Sequence, residues 1–219
     1  MSAESRPLYT FVRLLCAFIL RILFRTRILG RDRVPSEGGL LILSNHLSFA
    51  DPPMLAVAIP RNIDFLAMVE IFHKPVLGGF ARALGAFPVD RSRVDQQAAR
   101  ETIRRLRAGR CVVIFPEGGI RLGEDSVLGG NPVFRPGAGA IASLGRAAIL
   151  PVIVRDTRKP YNWRNWLPMG RGRFGRETMS ATIGHPFCLW SPPGLSNEER
   201  RRSARELLRE RLLKTVELN

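Results

Sequence analysis

A histidine and an aspartate stand five positions apart in this chain, directly after a short apolar run. His46 and Asp51 follow residues 40–43, whose apolar side chains predict a buried strand. The carboxyl ends of strands in α/β folds are where functional sites gather, and a neutral imidazole beside a carboxylate can remove a proton from a hydroxyl at neutral pH. The pair therefore predicts a general base, His46, with Asp51 as the group that orients it.

The spacing of the pair sets a condition on this prediction. An offset of five residues places two side chains on different faces of a helix and on opposite faces of a strand, so only a turn between them can bring them together. A second interpretation stays open, because Asp51 precedes Pro52 and Pro53 and could cap a helix that begins there. The two roles are compatible, since a capping carboxylate can also contact an imidazole.

Four blocks of sequence resemble the glycerolipid acyltransferase family, which is typified by bacterial 1-acyl-glycerol-3-phosphate acyltransferase. Asn45, His46 and Asp51 are similar to the family's Asn-His-x4-Asp block. The other three blocks follow in the family's order: Gly-Ala-Phe-Pro-Val-Asp-Arg at 85–91, Phe-Pro-Glu-Gly at 115–118, and Ile-Leu-Pro-Val at 149–152. The resemblance extends over residues 30–186, ending in Ile-Gly-His-Pro.

The resemblance implies an O-acyltransferase that moves a fatty acyl group from acyl-CoA or acyl carrier protein to a lysophospholipid acceptor. In the typical member the acceptor is 1-acyl-glycerol-3-phosphate and the product is phosphatidic acid. His46 and Asp51 would be catalytic, and the acyl group would pass directly to the acceptor without a covalent acyl-enzyme. Arg91 would hold the acceptor phosphate. The implied substrate-binding positions are Asn45, Arg91, Glu117, Gly118 and Arg121.

One block departs from the family pattern. The family has Phe-Pro-Glu-Gly-Thr-Arg, whereas Gly118 is followed by Gly119 and Ile120, which places Arg121 one position late. Glycine tolerates unusual backbone dihedrals, so the loop could absorb the extra residue. The shift would equally fit a different acceptor, and a lyso-ornithine lipid, another lysophospholipid and glycerol 3-phosphate stay open as alternatives.

Composition favours one enzyme domain that needs no metal. A chain of 219 residues with 45% hydrophobic content can bury most of its apolar surface in one core. The three cysteines, Cys16, Cys111 and Cys188, are far apart, which argues against a disulfide framework. With only three histidines in the chain, no cluster has the spacing of a metal site. We therefore expect neither a metal nor another cofactor.

The net charge of +15 indicates a polyanionic partner. Only three of the 34 cationic residues are lysine, and the planar guanidinium of arginine binds oxyanions through two parallel hydrogen bonds. Anionic lipid headgroups and nucleic acid both fit this charge. We expect an anionic membrane surface rather than nucleic acid, and a non-enzymatic basic protein that binds membrane or nucleic acid stays the alternative to an enzyme.

The N-terminus is the reason for preferring lipid. A helical pattern runs through residues 7–26 without a breaker. Four arginines share one arc of this helix at about 100° per residue: Arg13, Arg21, Arg25 and Arg27. Apolar side chains occupy the other side: Phe11, Leu15, Phe18, Ile19, Ile22 and Leu23. The arginines interrupt the apolar stretch before it reaches the roughly 18 to 20 residues of a spanning helix. The pattern predicts an amphipathic helix in the membrane interface, and a helix that docks on the core is the alternative.

The rest of the chain alternates between strand and helix patterns. Strands are predicted at 40–43, 64–68, 87–89, 111–115, 149–154 and 179–183, and helices at 53–58, 75–84, 94–108, 137–144 and 197–214. This alternation predicts an α/β fold, a single domain with a central mixed sheet flanked by helices. We assign residues 1–29 to the N-terminal membrane-interface helix and residues 30–219 to the acyltransferase domain, located at the cytoplasmic face of the cell membrane. Two loops, 116–136 and 155–176, are further candidates for substrate or membrane contact.

Overall fold

The structure is a computed structural model that describes residues 7–90, 95–130, 132, 134, 137–157, 178–189 and 196–218. Within these residues seven strands form one sheet. The strands are β1 (Arg25–Leu29), β2 (Leu40–Ser44), β3 (Ile63–Met68), β4 (Phe87–Val89), β5 (Cys111–Ile114), β6 (Ala148–Arg155) and β7 (Thr178–Ile183). The helices are α1 (Pro7–Leu23), α2 (Asp51–Ala58), α3 (Val69–Phe72), α4 (Pro75–Ala83), α5 (Gln96–Arg107), α6 (Ala138–Gly145) and α7 (Asn197–Glu217).

The strand order is β1-β7-β6-β2-β5-β3-β4. Strands β6, β2, β5, β3 and β4 are parallel to one another, whereas β7 is antiparallel to β6 and parallel to β1. The sheet is therefore mixed, as predicted, and it confirms the α/β fold class. All six predicted strands are present, each to within one residue at either end.

Helices cover both faces of the sheet, and the central strand β2 shows why. All five residues of β2 are buried, because alternate side chains point into two separate apolar layers. Leu40 and Ile42 pack into the layer beneath α1 and α2. Leu41 and Leu43 pack into the layer on the opposite face, which contains residues of α5, α6 and α7. Because β6, β2, β5, β3 and β4 are parallel, their carboxyl ends lie together along one edge of the sheet.

The N-terminal segment differs from the prediction at its end. Helix α1 stops at Leu23, and residues 25–29 form β1, which pairs with β7 in the sheet. Arg25 and Arg27 therefore belong to a strand, and their expected place on the helical arc was wrong. The proposed segment 1–29 thus contributes a strand to the same sheet as residues 30–219. That strand has five residues and no apolar residue before Ile28, so its pattern is too weak to indicate a strand.

Helix α1 docks on the core and also exposes an apolar surface. Its inner face packs beneath α2 through Tyr9, Val12, Cys16 and Leu20. The Tyr9 hydroxyl oxygen accepts a hydrogen bond of 3.1 Å from the N–H of Ile63, and burial raises the pKa of Tyr9 to about 12. Seven apolar side chains remain exposed on the opposite side, called the outer face below: Leu8, Phe11, Leu14, Leu15, Phe18, Ile19 and Ile22. No helix within the described residues is both long and apolar enough to cross a bilayer.

The C-terminal helix α7 has the solvated surface that its charge predicts. Ser196 and Glu199 form a capping box at its start, in which each side chain accepts from the backbone N–H of the other residue. Leu208 and Leu212 are buried against the sheet, and the arginines of the helix are exposed. The helix therefore covers one face of the sheet with a narrow apolar stripe and leaves its charges in water.

Candidate active site

The turn at residues 45–51 brings His46 and Asp51 together. Strand β2 ends at Ser44 and α2 begins at Asp51, and the residues between them form no helix or strand. The Nδ1 atom of His46 lies 2.7 Å from Oδ2 of Asp51, and the two residues are 7% and 0% exposed. The condition set by their five-residue spacing is therefore met, and the pair lies at the carboxyl edge of the sheet.

The carboxylate of Asp51 faces back into the turn and does not cap α2. Its Oδ2 atom accepts hydrogen bonds from the N–H groups of Leu47 at 2.7 Å and Ser48 at 2.8 Å. Ala50 is the N-cap residue of α2, and no side chain caps the helix there. The capping interpretation of Asp51 was therefore wrong. The backbone of the turn holds the carboxylate in the position in which it contacts the imidazole.

This contact fixes the tautomer of His46. A carboxylate can only accept hydrogen bonds, so Nδ1 must carry the hydrogen in the contact with Asp51. In the neutral imidazole the lone pair is then on Nε2, which has no hydrogen-bond partner among the described residues. The ring is stacked on Phe115, with centroids 4.1 Å apart and planes inclined by 15°. Nε2 thus has both the protonation state and the free lone pair of a general base.

Asn45 joins the end of β2 to β6. Its Nδ2 group donates to the carbonyl of Val154 at 2.9 Å, and its Oδ1 atom accepts from the N–H of Val154 at 2.8 Å. The side chain is completely buried, and it extends the β2–β6 pairing beyond Ser44. Both ends of the amide are thus bonded to the backbone of β6, and the substrate-binding role expected for Asn45 stays a prediction. Asn45 fixes the backbone position of the adjacent His46.

Glu117 bonds two backbone N–H groups of the site. Its Oε2 atom accepts from the N–H of His46 at 2.8 Å, and its Oε1 atom accepts from the N–H of Val127 at 2.7 Å. Burial raises the pKa of the Glu117 carboxyl, and these two N–H groups oppose the increase. The side chain ties the glycine-rich loop to the backbone of His46, and the substrate-binding role expected for Glu117 stays a prediction.

Gly118 makes the turn after this glutamate. Its φ angle is +74°, in the left-handed region that favours glycine, and its N–H donates to the carbonyl of Phe115 at 3.0 Å. That N–H is therefore used within the turn, and the substrate-binding role expected for Gly118 stays a prediction. Gly118 allows the chain to reverse directly after β5.

The extra residue of the loop is absorbed without moving Arg121 away from the site. The N–H of Arg121 donates to the carbonyl of His46 at 3.0 Å, and the side chain is exposed. The loop thus returns to His46 despite its altered spacing. Arg91 lies outside the described residues, as does most of the 155–176 loop. The described residues contain no group of side chains that could hold a metal ion.

A family model described as Acyltransferase matches residues 25–155, which span β1 to β6. The chain belongs to this acyltransferase family. A 1-acyl-sn-glycerol-3-phosphate acyltransferase of Bacillus subtilis (strain 168) is 28% identical over 202 residues, covering 90% of this chain and 93% of the relative. A protein of the same name from Streptococcus pneumoniae (strain ATCC BAA-255 / R6) is 27% identical over 190 residues, covering 84% of this chain and 64% of the relative.

The fold of this acyltransferase resembles a solved structure. The crystal structure of the 1-acyl-sn-glycerophosphate (LPA) acyltransferase, PlsC, from Thermotoga maritima matches with a TM-score of 0.63 at 22% identity. The match covers 92% of this chain and 77% of that chain. Together these comparisons confirm the family and the class of enzyme that the sequence motifs implied, an O-acyltransferase similar to 1-acylglycerol-3-phosphate acyltransferases.

Two residues of the acyltransferase site were missed by the sequence analysis. The Ser48 hydroxyl donates to the carbonyl of Thr157 at 2.8 Å and accepts from the N–H of Ala50 at 3.1 Å. The Thr157 hydroxyl donates to Oδ1 of Asp51 across 106 positions of sequence. Thr157 lies two residues beyond the end of β6, and β6 ends at the same edge of the sheet as β2. This position is the one sequence signal that could have indicated the contact with Asp51.

Proposed function

We propose that this enzyme transfers a fatty acyl group from the thioester of acyl-CoA or acyl carrier protein to the free hydroxyl of 1-acyl-glycerol-3-phosphate, giving phosphatidic acid. The observation that carries the proposal is the His46–Asp51 pair, in which Nδ1 is held and Nε2 is free. Two relatives that bear the name 1-acyl-sn-glycerol-3-phosphate acyltransferase support this acceptor.

In the proposed mechanism His46 acts as the general base. Nε2 takes the proton of the acceptor hydroxyl as the hydroxyl oxygen attacks the thioester carbonyl. The tetrahedral intermediate then collapses, the carbon–sulfur bond breaks, and the thiolate receives the proton from the imidazolium. Asp51 stabilises that imidazolium in a site from which water is largely excluded. General base catalysis of this kind contributes about 10²- to 10⁴-fold to the rate.

Arg121 supports an acceptor that carries a phosphate. Its N–H is bonded to the His46 carbonyl, and its side chain is exposed. An exposed guanidinium on a backbone this close to His46 can bind the phosphate of an acceptor whose hydroxyl reaches Nε2. We assign Arg91 to the same phosphate on the strength of the family resemblance, since this residue ends the second family block.

We also propose that the enzyme works on the cytoplasmic face of the cell membrane as a peripheral or monotopic protein. The outer face of α1 presents seven apolar side chains, and the chain as a whole carries a net charge of +15. Helix α4 packs against α1 and adds further exposed apolar groups, with Val76 85% and Leu77 52% exposed. Because α3 follows the carboxyl end of β3 directly, it begins at the same edge of the sheet as His46, and the first turn of α4 comes two residues after α3 ends. An apolar surface beside the site suits substrates that reside in a bilayer.

A substrate screen tests the activity directly. Purified protein in detergent is offered a panel of lysolipids with acyl-CoA and, separately, with acylated acyl carrier protein, and thiol release is measured alongside the lipid product. His46→Ala is the matched control. We expect phosphatidic acid from 1-acyl-glycerol-3-phosphate with the unmodified enzyme only. Transfer that persists in His46→Ala would overturn the proposed base.

A different acceptor is the second candidate function. The loop sequence Gly-Gly-Ile-Arg places Arg121 one position later than the family pattern, and the acceptor pocket is where such a change would act. Glycerol 3-phosphate, another lysophospholipid and a lyso-ornithine lipid belong in the same panel for this reason. Preference for the lyso-ornithine lipid, which has no phosphate, would refute the phosphate-binding role of Arg121.

A further inference from the structure

We propose that Thr157 is a positioning residue of the reaction, whose hydroxyl holds the Asp51 carboxylate in the orientation that keeps His46 competent as a base. The inference rests on the proposed role of His46. It extends the pair to a chain of three residues joined by two hydrogen bonds, one from the Thr157 hydroxyl to Asp51 and one between Asp51 and the imidazole.

The two oxygens of Asp51 have different partners. Oδ2 accepts from Nδ1 of His46 and from the N–H groups of Leu47 and Ser48. Oδ1 accepts from the hydroxyl of Thr157, which is its only hydrogen-bond donor within the described residues. Asp51 and Thr157 are both completely buried, so water cannot easily replace that hydroxyl. Thr157 therefore holds the Oδ1 side of the carboxylate, while three donors hold Oδ2, and the two sets of bonds together fix rotation about the Cβ–Cγ bond.

The backbone around Thr157 is shaped for this contact. Strand β6 ends at Arg155, and the next residue, Asp156, has a φ angle of +62° although it is not glycine. This left-handed residue redirects the chain at the end of the strand, and Thr157 then contacts the start of α2. The Ser48 hydroxyl holds the Thr157 carbonyl at 2.8 Å. The threonine is thus fixed through both its backbone and its side chain to the turn at residues 45–51.

Removal of the hydroxyl would weaken the support of the base. A buried carboxylate oxygen without a donor is unfavourable, so the carboxylate would turn Oδ1 toward another donor and strain the contact between Oδ2 and Nδ1 of His46. The loss lowers kcat, because fewer molecules hold a correctly oriented imidazole.

The test compares Thr157→Val, which removes the hydroxyl and keeps the shape, with Thr157→Ser, which keeps the hydroxyl. We expect Thr157→Val to lower kcat about tenfold while the KM of each substrate changes by less than about twofold. Thr157→Ser should restore kcat. Thr102→Val is the matched control, because Thr102 is a buried threonine of α5 whose hydroxyl donates only to the Ala98 carbonyl.

The outcomes separate this inference from the proposed function. If His46→Ala is inactive while Thr157→Val keeps the normal kcat, Thr157 is not a positioning residue and the function stands. If Thr157→Ser is as impaired as Thr157→Val, methyl packing matters instead of the hydroxyl, and the inference is refuted. Should Thr157→Val not fold by circular dichroism, Ser48→Ala replaces it. That variant releases the Thr157 carbonyl, so it must lower kcat while the KM of each substrate changes by less than about twofold, or the inference fails.

Discussion

The turn at residues 45–51 and the outer face of α1 depart from the usual burial pattern of a globular domain in opposite directions. The turn buries polar groups that would ordinarily be in water, including the side chains of Asn45 and Asp51, and each has hydrogen-bond partners. The outer face exposes apolar side chains that would ordinarily be buried, including Phe11 and Phe18. Buried polar networks are costly unless they are complete, so they indicate positions that chemistry requires. Exposed apolar surfaces are unfavourable in water, so they indicate a partner that covers them.

The two regions should consequently respond differently to substitution. In the turn, loss of a single bond should disturb geometry and therefore turnover. On the outer face of α1, loss of a side chain should leave turnover on a dispersed substrate unchanged and weaken attachment to a surface. The predictions that follow test this contrast, from the largest effect to the smallest.

The largest effect belongs to the catalytic pair. We expect His46→Ala and Asp51→Asn each to reduce kcat by about 10²- to 10⁴-fold without loss of the fold. Asp51→Asn can keep its bonds to the turn, because the Thr157 hydroxyl can accept from the new amide as well as donate. It loses the charge that stabilises the imidazolium. Steady-state kinetics and circular dichroism measure both quantities, and a folded Asp51→Asn variant with full activity would reduce Asp51 to a structural residue.

Glu117→Gln should impair both stability and turnover. Both oxygens of Glu117 accept a hydrogen bond, from the N–H groups of His46 and Val127. Glutamine replaces one of these oxygens with an NH2 group, which cannot accept, so one of the two bonds is lost. We expect a loss of about 1 to 3 kcal/mol in the free energy of unfolding, measured with denaturant, and a fall in kcat. Equal stability of the two proteins would show that the bonds to Glu117 are dispensable.

The pH dependence of stability gives Glu117→Gln a second readout. Burial raises the pKa of Glu117, so the folded state binds the proton more tightly than the unfolded state does. The resulting stabilisation is fully present below the unfolded pKa of about 4.3 and is lost as pH rises through the folded pKa. The Gln variant should lack this fall in stability between the two pKa values. The same slope in both proteins would contradict the raised pKa.

Arg121→Ala should have a smaller and more selective effect. We expect the KM of a phosphate-bearing acceptor to rise about tenfold, with little change in the KM of the acyl donor, because one charge-assisted contact is lost from an exposed side chain. Arg200→Ala is a suitable control, since it also removes the charge of an exposed arginine, but one that lies in helix α7 and not in the loop of Arg121. A similar rise in the KM of both substrates would move Arg121 out of the acceptor pocket.

The sequence was most informative where a pattern repeats or a motif is compact. The apolar runs identified six strands because buried strands of a parallel sheet are almost continuously apolar, and β2 is an example. The pairing of His46 with Asp51 followed from residue type and a short separation. The hydrogen bonds of Asn45 and Glu117 could not be predicted from the sequence, because their partners Val154 and Val127 supply only backbone groups, which carry no sequence signal. Thr157 was missed for a related reason, since its contact with Asp51 depends on how β6 lies beside β2.

Helix α1 shows a further limit of sequence patterns. The alternatives considered were a membrane-interface helix and a helix docked on the core, and the structure shows a docked inner face together with an exposed apolar outer face. A helix that is apolar on both sides can serve two contacts at once, which a single amphipathic pattern does not indicate. The position of β1 also rules out a simple truncation as a test of attachment. Deletion of the segment before Gly30 would remove a strand and expose the edge of β7.

Point substitutions on the two faces of α1 give the smallest expected effect and the sharpest test of the contrast. Phe18 is 63% exposed on the outer face, whereas Val12 is 8% exposed on the inner face. We expect Phe18→Ser to weaken binding to anionic vesicles by about 1 kcal/mol, or about fivefold, with no change in Tm. Val12→Ala should lower Tm and leave vesicle binding unchanged, because its side chain packs inside the domain.

Co-sedimentation at low and high salt measures the binding of each variant to the vesicles. This binding should weaken with salt but persist, since screening acts on the arginines and not on the inserted side chains. If Phe18→Ser sediments with vesicles as well as the unmodified protein does at both salt concentrations, the outer face of α1 is not the surface that meets the membrane, and the exposed side chains of α4 become the next candidates.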